Sequence, residues 1–163
     1  MPDGNQYRED FPAWANDQAQ KLRQASMGNT ETLKDIDFEH IIEELEALGR
    51  SEILRLKSLV RQVLAHLIKI TASPEADAVA HWEREVLTFT LDASDGYSRA
   101  YRQRIDTDGI WEKAKRQASL DLGRLEAEMP MLPETCPVDL DWMMGDDFTV
   151  VKARAIVASA MVL

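Results

Sequence analysis

Residues 37–70 read DFEHIIEELEALGRSEILRLKSLVRQVLAHLIKI, and the spacing of their apolar side chains decides the fold. Phe38, Ile41, Ile42, Leu45 and Leu48 return at three- and four-residue intervals. At about 100° per residue this gathers them on one face of a helix. Asp37 stands where a helix start needs a cap, because its carboxylate can accept from the unpaired amides of the first turn. Glu39 and Glu43 then place negative charge near the positive end of the helix dipole. Gly49 is expected to kink or break the helix, since only Arg50 separates it from a second start at Ser51-Glu52. Beyond it, Ile53, Leu56, Leu59, Val60, Val63, Leu64, Leu67 and Ile70 form a face wide enough to need several partners. That width predicts the central helix of the fold.

Upstream, residues 1–9 are polar and expected to fray, and Asp10 is positioned to cap a short helix. Pro12 fits in its first turn, where amides have no partner within the helix. Its inner face is expected to comprise Phe11, Trp14, Ala15, Gln18, Leu22 and Ala25, and Ser26 to Lys34 reads as a surface loop. Downstream, Pro74 is expected to start a helix whose stripe is Val79, Trp82, Val86 and Phe89, with a break at Asp92 to Gly96. Tyr97, Tyr101 and Ile105 suggest a short helix. A longer one carries Trp111, Ala114, Ala118, Leu122 and Leu125 to about Met129, where Pro130 and Pro133 end it. Residues 130–148 are irregular, with a turn of helix expected from Asp139 to Met144. The period of Thr149 to Leu163 is ambiguous between helix and strand. The expected fold is all-α: a bundle of five or six helices over residues 1–148, with 149–163 as an apolar tail.

Composition narrows the function. Acids outnumber bases 29 to 19, a formal charge of −10, which argues against a nucleic-acid partner, since phosphate backbones need clustered Lys and Arg. No apolar run approaches the ~20 residues that span a bilayer. The start lacks a basic, apolar secretory signal, so the expected compartment is the cytoplasm and no membrane partner is expected. A single cysteine, Cys136, excludes an internal disulfide and a metal–thiolate cluster.

The segments YREDFPAWANDQAQKLR, DFEHIIEELEALGRSE, VLAHLIK and LPETCP through DDF resemble, in order across residues 7–148, the bacterial family called domain of unknown function twenty-nine. The resemblance implies a helical bacterial protein and supplies no mechanism. The family's EE-x-E-x-x-G segment is matched by Glu43, Glu44, Glu46 and Gly49, and its histidine by His66; residues beyond Phe148 lie outside the pattern.

The groups that could carry chemistry are few. His66, at the margin of the apolar face, reads first as a histidine filling a helix interface with one nitrogen bonded to a carbonyl or carboxylate. His40 and Glu44 are one turn apart and read first as a surface pair, although such a pair can bind a metal. Glu43 projects toward solvent, and Glu52, with Arg50, flanks the expected break as a capping group. Cys136 has no base nearby and reads as inert. The first expectation is therefore an acidic, non-catalytic interaction or regulatory protein without a cofactor, meeting a protein partner or a second copy through its apolar tail. The alternative is a metal-dependent hydrolase or transferase in which His40, Glu44, His66 and His81 hold a divalent ion. A third reading places a small-ligand pocket beside Gly49, lined by Met and Trp of the C-terminal region.

Overall fold

A computed structural model describes Tyr7 and residues 11–161, the side chains of 11–13 excepted. Asp10 as a cap, Phe11 as a core residue and, of the expected fraying of residues 1–9, all but Tyr7 lie outside it. The described residues form six α-helices: α1 (Phe11–Ser26), α2 (Phe38–Ala72), α3 (Val79–Gly96), α4 (Thr107–Asp121), α5 (Leu140–Met143) and α6 (Val150–Ala160). Three 3-10 turns, Thr30–Asp35, Arg99–Arg104 and Glu126–Glu128, complete the order. The fold is an all-α bundle, and it divides into two compact units, residues 1–51 and 52–163.

Helix α2 runs without interruption through Gly49, where a kink or a break was expected. A glycine in a helix costs about 1 kcal/mol, less than interrupting a ladder of hydrogen bonds anchored by a buried second half. In the first unit α1 packs against the turn Thr30–Asp35, and Trp14, Gln18, Ile36 and Asp37 are buried. The Gln18 side chain accepts from the Asp37 amide at 2.8 Å, which fixes the residue that begins α2. The Asp37 carboxylate in turn accepts from the His40 amide at 3.4 Å, the N-cap geometry its position suggests.

In the second unit every residue from Val63 to Ile70 is buried, so this length of α2 is surrounded on all sides. It forms one core with Leu56, Val60, Val86, Ala93, Trp111, Ala114, Ala118, Leu140, Met143, Ala153 and Val157. The Trp111 indole donates to the Pro133 carbonyl at 2.8 Å, tying the Pro-containing segment to α4. Helix α3 begins only at Val79, because Pro74 opens a pair of turns in which Ala76 donates to Ser73 and Val79 to Ala76. It then continues through Asp92 to Gly96. Helix α4 stops at Asp121 rather than near Met129. Gly123 takes a positive φ of 62°, and the Arg124 amide bonds back to Ser119 at 3.0 Å, a Schellman termination. Thr149 caps α6, its hydroxyl accepting from the Lys152 amide at 3.3 Å. The C-terminal stretch is thus helical, packs against α3 and buries Ala153 and Val157.

Candidate functional site

Three places hold the polar and apolar groups singled out by the sequence. The first is the start of α2. Asp37 lies just before the helix, so its carboxylate folds back over the first turn and also meets His40 Nδ1 at 2.7 Å. Burial pushes the Asp37 carboxyl up, but the hydrogen bonds and charge of His40, with a further bond from Trp14, outweigh it and hold the group below its usual range. The imidazole of His40 stacks on Tyr7 with centroids 4.2 Å apart, and the Tyr7 hydroxyl donates to Glu44. Spacing alone couples His40 to Glu44; in the structure His40 is bonded to Asp37, and Glu44 takes the tyrosine. This leaves an oriented carboxylate–imidazole pair walled by Tyr7 and Trp14, able to hold a ring in place or to position a proton. Glu43 and Glu52 are exposed.

The second place surrounds His66, in the second unit. His66 is 8% exposed. Its Nδ1 donates to the Gln62 carbonyl at 2.8 Å, and its ring lies 5.7 Å from that of Phe89. Burial lowers its pKa from 6.5, Lys69 lowers it further, and the Gln62 carbonyl, Glu85 and Asp121 partly oppose them. Because a carbonyl can only accept, the neutral ring carries its hydrogen on Nδ1 and leaves a lone pair on Nε2. One turn on, buried Lys69 pairs with Asp121 at 3.1 Å, its ammonium 5.2 Å from the Trp82 ring centroid. These are groups the sequence reading missed, because nothing local marks a lysine as buried; the only hint is its place inside an otherwise apolar turn. His81 is exposed on α3. His40 thus belongs to one unit, and His66 and His81 to the other. Among the described residues no group of three His, Cys, Asp or Glu is gathered as a metal site.

The third place is apolar. In the first half of α2, Phe38, Ile42, Leu45 and Leu48 are 46%, 55%, 64% and 60% exposed. Carboxylates flank these side chains: Glu39, Glu43 and Glu46 are all exposed.

Two grooves in the second unit are less pointed. One, of about 380 Å³, lies between α4 and residues 126–132, lined by Lys115, Arg116, Met129 and Leu132 among others. The other holds Arg102, Asp106, Asp108 and Cys136. Burial pushes the Cys136 thiol up to about 11, so it is protonated near neutrality and a poor nucleophile. Gly49 is exposed, and a Cβ built on it would meet open space.

The sequence pattern of the family described as "Domain of unknown function DUF29" matches residues 6–149. An alpha-helical protein of unknown function from Rhodospirillum rubrum, known from a crystal structure, is similar at 31% identity with a TM-score of 0.68. The likeness covers 91% of this chain and 95% of that one. No curated protein matches. Among the described residues no helix is long and apolar enough to cross a membrane.

Proposed function

The chain belongs to the family of the domain of unknown function DUF29, and from that premise, which brings a fold without an activity, we propose that it is a non-catalytic interaction protein. Its docking face is the first half of α2, and its partner offers a helix.

One observation carries the reading: Phe38, Ile42, Leu45 and Leu48 are 46–64% exposed along one side of a helix. Solvated apolar side chains at this spacing are what an amphipathic partner helix covers, with anchors at three- and four-residue intervals. The C-terminal helix, which the sequence suggested for this role, already spends Ala153 and Val157 on the core of the second unit. The face on α2 has the greater apolar area to offer.

Size-exclusion chromatography of a native lysate tests the proposal. The wild-type chain should elute well above the 18.5 kDa of its own mass. A variant carrying Ile42→Ser, Leu45→Ser and Leu48→Ser should elute where the purified protein does. Identical elution of the two proteins in lysate would contradict it.

A further inference from the structure

The exposed stripe has a charge as well as a shape. From Phe38 to Glu52 the helix holds five glutamates, residues 39, 43, 44, 46 and 52, against the single cation Arg50. Counting these glutamates and Arg50, the stretch carries a net −4 over four turns. Arg50 is itself 3.6 Å from Glu46, so its charge is largely spent inside the face. Glu39, Glu43 and Glu46 stay exposed alongside Ile42 and Leu45, where they would border any helix laid on the stripe.

We infer that the occupant is a cationic amphipathic helix, a segment of another protein whose apolar side meets Phe38, Ile42, Leu45 and Leu48 and whose flanking Lys or Arg meet Glu39, Glu43 and Glu46. This rests on the docking reading of α2 and adds the partner's chemistry to it. Charge decides against the other occupants. A second copy would bring −4 against −4, and in an antiparallel pair the equivalent flanks meet, setting Glu43 against Glu46 of the other chain. Phosphate surfaces, whether nucleic acid or anionic lipid, are repelled by the same carboxylates. A lysine-flanked helix has its apolar side covered and its charge neutralised in one step.

Fluorescence anisotropy on the full chain tests this with three labelled peptides of about 18 residues, long enough for five turns. One sets Leu at the anchor positions with Lys on the flanks, the second keeps the Leu pattern with Glu on the flanks, and the third scrambles the first. The Lys amphipath should bind at least roughly tenfold more tightly than either control. Its affinity should fall several-fold between about 50 and 300 mM salt as the flanks are screened. Leu45→Ser should weaken it roughly tenfold, and so should the triple change Glu39→Gln, Glu43→Gln and Glu46→Gln. Equal binding of the Glu and Lys amphipaths would overturn the cationic partner while leaving the docking face intact. Equal binding of the scrambled peptide would reduce the effect to charge without a helix face, and so overturn the inference. Failure of all three peptides would overturn it too; elution of the native complex in lysate then judges the docking reading separately.

Discussion

At His66 the partner of one ring nitrogen sets the state of the whole ring. The bond from Nδ1 to the Gln62 carbonyl and the contact with Phe89 make the imidazole part of the packing between α2 and α3. His66→Ala should remove a hydrogen bond and packed volume together, costing about 1–3 kcal/mol in urea melts. The loss should be the same with and without chelator; a loss appearing only with metal present would turn His66 into a ligand. The sign of its pH dependence is fixed as well. Because the folded pKa lies below 6.5, the unfolded chain takes the proton first as acid is added. The stabilising contribution is complete above 6.5 and is lost as pH falls through the folded value. Melts from about pH 7.5 downward should therefore show wild type losing more stability than His66→Gln, which has no proton to take up. A parallel decline in the two proteins would contradict this. The partner of His40 was harder to read. Helical spacing points to Glu44, four residues on, whereas an N-cap carboxylate is outside the helix and can fold back to reach the third residue. Asp37 does so while capping α2.

Gly49 and Gly123 answer opposite demands. Gly49 lies inside α2 with open space where a Cβ would be, so Gly49→Ala should raise stability by about 0.5–1 kcal/mol through helix propensity alone. Gly123 closes α4 with φ 62°, a conformation that costs an L-residue roughly 1 kcal/mol, so Gly123→Ala should lower stability by about that much although its surroundings are equally open. Thermal melts of both variants check the pair; a fall for Gly49→Ala would restore the break that the sequence suggests. This is where element boundaries were and were not legible. The apolar period located α2, α3 and α4 and their stripes, and Asp37, read as a cap, marks a real helix start; Asp106, Asp139 and Thr149 also cap helices, which the sequence reading did not single out. Gly49 and Gly123 look alike in a sequence. What separates them is whether the following residues remain anchored in a core, as Leu56 to Ile70 do, or turn outward, as Leu125, 71% exposed, does. The period of Thr149 to Leu163 was undecidable because its small side chains fit either spacing; only Ala153 and Val157, four apart and buried, show the helical one.

Across the molecule, one helix serves two units in different ways. Its second half is enclosed, with Leu64, Leu67, Ile68 and Ile70 fully buried. Its first half keeps an apolar side in water, bordered by the carboxylates of Glu39, Glu43 and Glu46. Sequence periodicity is blind to that difference, since a stripe awaiting a partner has the same spacing as a stripe already in a core. Acidity was legible from the start, and Glu39, Glu43 and Glu46 bring part of it to the flank of that stripe. On the docking proposal, the exposed stripe contributes little to folding. Urea melts followed by helix signal test it by comparing Leu64→Ala with the triple change Ile42→Ser, Leu45→Ser and Leu48→Ser. Leu64→Ala should cost about 2–5 kcal/mol, as a truncation in a close-packed core does, and the triple change should stay within about 1 kcal/mol of wild type, as exposed positions do. A triple variant destabilised as much as Leu64→Ala would show the stripe to be core and contradict the docking face.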